Sequence, residues 1–264
     1  MSMVAPHRRR RQGRAGDIVL LIIVLGLIWQ AFYQVAGDVA LTPPLATVGY
    51  AVGLMSSPDF WPNVRATFAA FGLAVLISVG AGLPTGVLLG LNKLAGDAAE
   101  PVLVALYSVP KVVFYPVILL CFGIGLAPEV AFGVVNGVLP IVIFTTNAMA
   151  HVKPIYLKTG RAFGLTGWQL VQTIAIPAAL PEILTGVRVG LSLTFIGTLL
   201  SEMFAARAGL GHMLINAMQL NSVPRIMSLT LLILVFAAIV NTALIVVEHR
   251  VSGRGAEAQL DGAG

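Results

Sequence analysis

Residues 130–150 read VAFGVVNGVLPIVIFTTNAMA, without a single charge, and residues 151–177 continue HVKPIYLKTGRAFGLTGWQLVQTIAIP. The first stretch is as long as the roughly 20 apolar residues that a helix needs to cross about 30 Å of hydrocarbon. The second is polar and broken by glycine and proline, so the chain leaves the apolar phase at His151. Reading outward, the same apolar pattern recurs at Ile18–Val35, Val64–Leu91, Val102–Leu126, Ile183–Phe204 and Ile226–Val247. The chain is thereby expected to be an all-α membrane protein of six transmembrane helices.

Composition leads to the same place. Of the 264 residues 58% are hydrophobic and only 10% charged, with a mean hydropathy of +0.93, a balance that excludes a water-facing globular surface. Six spans put both termini on one side, and Arg8, Arg9, Arg10, Arg11 and Arg14 before the first span make that side cytoplasmic by the positive-inside rule. The remaining charges agree: Lys93, Lys153, Lys158, Arg161, Arg250 and Arg254 fall inside, whereas only Arg65, Arg207 and Arg225 fall outside. Lys111 and Arg188 lie within spans.

The expected organisation is a basic cytoplasmic segment 1–17, one membrane domain 18–250 and a polar, Gly-rich tail 251–264 without regular structure. The first apolar run is longer than a signal-peptide core, and no small-x-small cleavage site follows it before Asp38. Leu45–Met55, set among Pro43, Pro44, Pro58 and Pro62, reads as an outside interfacial helix. The net charge of +5 comes from scattered residues without a basic, aromatic-rich stripe, so no nucleic-acid partner is expected. Cys121 sits in an apolar run and reads as a buried thiol. Pro84 interrupts the second span, and Pro110 and Pro116 bracket Lys111 and Tyr115 in the third, so backbone groups freed there must be satisfied inside protein. Four-residue glycine spacings, Gly82–Gly86–Gly90, Gly133–Gly137 and Gly186–Gly190, mark places where helices approach closely.

The loop His151–Leu180 is the longest cytoplasmic connection. Tyr156–Phe163 has helical character, Gly164 breaks it, and Trp168–Ile176 reads as a second helix ended by Pro177 and Pro181. Two short helices meeting at a glycine make a rigid knob. Here the chain resembles the permeases of ABC importers, whose loop carries Glu-Ala-Ala, three residues, Gly, nine residues, then Ile-x-Leu-Pro. Gly164 is followed after nine residues by Ile174-Ala175-Ile176-Pro177, but Lys158-Thr159-Gly160 stands in place of the opening triplet. Other matches follow in order: Thr42-Pro43-Pro44, Pro110-Lys111 through Tyr115-Pro116 to Phe122-Gly123-Ile124-Gly125, Pro177-Ala178-Ala179-Leu180-Pro181, Gly186-Val187-Arg188, Glu202-Met203 and Gly209-Leu210-Gly211. They resemble the nitrate, sulfonate and taurine branch most.

The resemblance implies a type I importer fold in the bacterial plasma (inner) membrane. It implies a second copy of the chain, two ATPase subunits below, a substrate-binding protein outside and a small solute passing between the copies. Lys158, Thr159, Gly160, Arg161, Ala162, Gly164, Ile174 and Pro177 would form the ATPase-coupling element. The chain has no Gly-x-x-x-x-Gly-Lys-Ser/Thr phosphate loop, so ATP and Mg are expected on the partner ATPase, with no cofactor and no enzymatic activity here.

Single residues leave alternatives open. Gly164 reads either as a docking element or as an ordinary helix C-cap. Lys111 and Arg188 are costly in hydrocarbon and so are pathway candidates, against snorkelling or a structural pair. Tyr115 joins Lys111 as a candidate. Glu202 reads either as an entrance group or as a solvated helix-end carboxylate, and Asn136 as a pathway group or a bridge between helices. Trp29, Trp61 and Trp168 near span ends read as interfacial anchors. A secondary transporter or channel is the competing class; it calls for carboxylates within spans, whereas Glu129, Glu182, Glu202 and Glu248 fall near span ends. A membrane enzyme lacks any matching motif.

Overall fold

The computed structural model of the protein describes residues 10–261, so the arginines Arg8 and Arg9 lie outside it. Eleven α-helices are described: α1 Arg10–Ala36, α2 Pro44–Met55, α3 Phe60–Leu91, α4 Lys93–Ser108, α5 Tyr115–Phe122, α6 Leu126–Ala150, α7 Pro154–Ala162, α8 Gly167–Leu170, α9 Ile176–Ala205, α10 Leu210–Gln219 and α11 Val223–Asp261. Five segments are long and apolar enough to cross a membrane, and α4 with the α5 segment makes a sixth, bent by 84° at its break. Large apolar side chains face outward on α1, α3, α5 and α11, as a hydrocarbon solvent requires and water forbids.

The centre of the bundle is α6, packed between α3 and α9. All seven of the paired glycines lie at these two interfaces. A Cβ on Gly82 would stand 2.8 Å from Ile141, one on Gly86 2.9 Å from the Val142 carbonyl, and one on Gly90 2.6 Å from the Thr146 carbonyl. Gly133 presses on Ala74 and Thr198, Gly186 on Phe144, and Gly137 and Gly190 face each other's carbonyls at 2.9 and 2.8 Å. In lipid no hydrophobic force drives helices together, so this backbone approach, with its dispersion contacts, is the packing that remains. Gly72 and Gly80 on α3 have nothing within 4 Å, which shows that position, not residue type, selects the interface.

At the end of the bundle away from the loop, α2 packs against α11 and touches α1 and α3. The Trp29 indole N–H donates to the Thr42 carbonyl at 3.1 Å and the Trp61 indole to the Met55 carbonyl at 3.0 Å, so one tryptophan pins each end of α2. Trp168, by contrast, is 64% exposed on the loop.

Four expectations are corrected. The third span begins at Lys93, directly after Asn92, whose side chain accepts from the Ala95 N–H, and it breaks at Val109-Pro110 instead of running straight from Val102. Pro177 and Pro181 do not end a helix: Val171–Ala175 forms a π turn leading straight into α9. A wider turn moves the carbonyls ahead of Pro177 out of register, which relieves the clash and lost bond that proline causes in an α-helix. Cys121 is exposed, because α5 is a short peripheral helix with only Tyr115 buried. The backbone of 252–261 is helical where no regular structure is expected; Ala256-Glu257-Ala258-Gln259-Leu260 are all good helix formers.

Candidate functional site

The knob is built as a closed turn. Helix α7 ends at Ala162, Phe163 caps it, and Gly164 takes φ +76°. Gly164 N–H donates to the Arg161 carbonyl at 3.0 Å and Leu165 N–H to the Gly160 carbonyl at 3.1 Å, the paired bonds of a Schellman cap. Two residues on, the Gln169 side chain accepts from the Thr166 N–H at 3.0 Å and opens α8. Gly160 is buried: a Cβ there would meet the ends of Leu170 and Ile174, the latter at 2.6 Å. Ile174 therefore packs inside the knob, under α7. Lys158, Thr159, Arg161 and Ala162 are exposed, as is Pro177 at the start of α9.

The knob is fastened to the spans by an apolar cluster. Ala148, Met149 and Val152 from the end of α6 are buried with Ala175, Ala179 and Ile183 around the start of α9, and Leu157 of α7 and Val87 of α3 pack against them. Close-packed side chains thus join α7 to the ends of α3, α6 and α9.

Each pathway candidate has its own bonding partners. Lys111 opens a 3₁₀ turn (Lys111–Phe114) at the break of the third span; its Nζ donates to the Tyr107 carbonyl at 3.2 Å and lies 4.6 Å from the Tyr107 ring centre. Tyr115 is buried, donates to the Ser201 carbonyl at 3.1 Å and packs edge-on against Phe132, so it ties α5 to α9 and α6. Asn136 donates to the Phe132 carbonyl of its own helix at 2.8 Å and lies against Gly197 of α9. Arg188 stands 3.1 Å from Glu248 of α11, an ion pair by distance, and Thr185 holds the other Glu248 oxygen at 3.1 Å. Several clefts open on the surface. One, of about 880 Å³, lies between α2 and the turn before α11, with Tyr50, Asp59 and Arg225 on its walls. Another, of about 620 Å³, lies beside the knob and is lined by Lys93, Asp97, Asn147, His151 and Leu157.

Residues 82–254 match the family model of the binding-protein-dependent transport system inner membrane component. The chain belongs to that family. It is 31% identical to the riboflavin transport system permease protein RibX of Chloroflexus aurantiacus, over 93% of this chain and 90% of that one. It is 26% identical to the taurine transport system permease protein TauC of Escherichia coli K12, over 76% and 75%. A chain of the inward-facing MetNI methionine ABC transporter has the same fold, with TM-score 0.65 at 20% identity, covering 74% of this chain and 99% of that one. The protein is thus the membrane-spanning permease subunit of an ABC importer.

Within the permease, one sequence motif has a structural role that spacing alone does not disclose. Glu202 is fully buried, neither solvated nor at an open entrance. Its Oε2 accepts from the Thr67 hydroxyl at 3.0 Å and from Gly211 N–H at 2.8 Å, while Thr67 accepts from Leu210 N–H at 2.8 Å and Asn63 from Gly209 N–H at 2.7 Å. Three successive N–H groups at the start of α10 are therefore satisfied by side chains from α3 and α9, and a helix N-terminus favours a carboxylate. Gly209 and Gly211 are glycines because a Cβ on either would collide with Glu202. The order of Glu202 and Gly209-Leu210-Gly211 is the sequence signal for this site; nothing in the sequence singles out Asn63 or Thr67. Glu202→Ala leaves Gly211 N–H buried and unpaired, so it should lower bundle stability by about 1–3 kcal/mol. Glu202→Gln, which keeps an acceptor, should cost less. Thermal melts of the detergent-solubilised variants measure the difference.

Proposed function

We propose that two copies of this permease enclose a solute pathway and that a separate ATPase drives it by moving the knob around Gly164. The observation that carries this reading is the knob itself: a capped, exposed turn whose base is packed into the ends of α3, α6 and α9. ATP and Mg belong to two ATPase subunits, and an extracytoplasmic binding protein delivers the solute at the α2 end. The concentration of basic residues on one side supports cytoplasmic termini and a cytoplasmic knob in a bacterial inner membrane.

The solute class we propose is a small anion. Lys111 supports it, since a half-exposed ammonium group at a broken span offers positive charge beside backbone that is not in regular helix. The named relatives carry chemically different solutes, riboflavin and taurine, so the narrower choice rests on Lys111. Lys111→Met keeps most of the volume and removes the charge. Solute affinity in the variant should fall about tenfold, the size of one charged hydrogen bond, with the protein still folded. Wild-type affinity in Lys111→Met would leave the residue a capping role only, through its bond to the Tyr107 carbonyl.

Reconstitution tests the reading as a whole. The permease purified with its ATPase and placed in liposomes should take up the binding protein's solute only when ATP is supplied on the knob side. Uptake driven by an ion gradient without ATP would instead make it a secondary transporter.

A further inference from the structure

Between Glu129 and Glu182 the chain holds no acidic residue, yet Lys153, Lys158 and Arg161 all fall there. All three are exposed, and among the described residues no carboxylate lies within ion-pair distance of any of them. Asp97 and Glu100 on α4 and Glu182 on α9 are the carboxylates of neighbouring elements, and none pairs with the knob. Lys158 and Arg161 are three residues apart on α7, hence neighbours on one helix face, where two like charges repel. Around them Ile155 is 60% exposed, Tyr156 40%, Phe163 82% and Trp168 64%. The knob therefore shows large apolar side chains studded with unpaired cations.

Resting on the coupling role proposed above, we infer that the ATPase groove receiving this knob is apolar at its floor and rimmed by carboxylates. That is the opposite sign from a groove matched to a glutamate at position 158, so this permease selects its ATPase by charge. An anionic membrane surface is the other surface that cations and aromatics suit. The fold disfavours it, because a helix lying on lipid buries its own apolar face there. Leu157 and Gly160 of α7 are turned inward onto the α6 end, Leu170 and Ile174, so of its large apolar side chains only Ile155 and Tyr156 stay exposed, too few for a lipid-facing stripe along the helix.

The test uses full-length permease in nanodiscs, one set of neutral phosphatidylcholine and one containing phosphatidylglycerol, titrated with the ATPase that co-purifies with it. Wild-type affinity should fall as salt is raised, equally in both lipids. The double variant Lys158→Glu/Arg161→Glu should bind at least about tenfold more weakly at low salt, and Lys158→Gln/Arg161→Gln less so, as expected for charges at an interface rim. Lysine replacements of groove carboxylates on the ATPase should restore the reversed permease. If charge reversal and salt change nothing while Phe163→Ala abolishes binding, the knob docks without charge selection and the inference is overturned with the coupling role intact. A salt dependence confined to phosphatidylglycerol discs would assign the cations to lipid. If the wild-type permease binds no ATPase through this loop, the coupling reading falls and takes the inference with it.

Discussion

Gly164→Val should leave the bundle folded and inserted while its ATPase no longer co-purifies. The residue at 164 sits at φ +76° and closes the cap on α7, a conformation that costs a side-chain-bearing residue about 1–2 kcal/mol and a β-branched one more. That is a factor of about 5–30 in the population of the closed turn. Nothing lies within 4 Å of a Cβ built there, so the strain is in the backbone and not in a clash. A series separates the two roles open to this glycine. If the cap matters, Gly164→Asn, tolerant of positive φ, retains more ATPase than the smaller Gly164→Ala. If instead the partner lies on bare backbone, Ala is milder than Asn. The cap geometry predicts the first order.

Gly137→Leu should fail to yield a folded bundle at all. A Cβ at this position meets the Thr194 side chain and stands 2.9 Å from the Gly190 carbonyl, and neither can yield without parting α6 from α9. Overpacking of this kind costs about 1–3 kcal/mol even where side chains can shift, and here the obstacle includes backbone. In size-exclusion profiles of solubilised protein the monodisperse peak should disappear. Gly80→Leu, on α3 with open space around it, should elute and melt like wild type. Equal loss in both variants would mean that the α6–α9 approach is not what holds the bundle.

The spans were legible because hydrocarbon imposes a length and a polarity that composition cannot hide, and Val130–Ala150 coincides with all but the first turn of α6. The glycine spacings were legible for the same physical reason, one residue type meeting one packing need. Gly164 could be placed because its neighbours keep a fixed spacing, but only the +76° backbone identifies it as the cap. What sequence could not give were relations between distant residues. Arg188 finds Glu248 across 60 positions, and Glu202 finds Thr67 across 135. Each carboxylate looks like an exposed helix-end charge until its partner is known. Prolines misled in both directions: Pro177 is absorbed by the π turn ahead of it, whereas Pro110 coincides with an 84° bend that no propensity measures.

The most direct measurement of the central claim is a photo-crosslinking amino acid placed at Phe163, which is 82% exposed beside the Gly164 turn. In intact cells it should capture a nucleotide-hydrolysing subunit on the cytoplasmic side, with yield falling in the Gly164→Val background. Crosslinks to lipid alone, or to a protein outside the membrane's cytoplasmic face, would contradict the account.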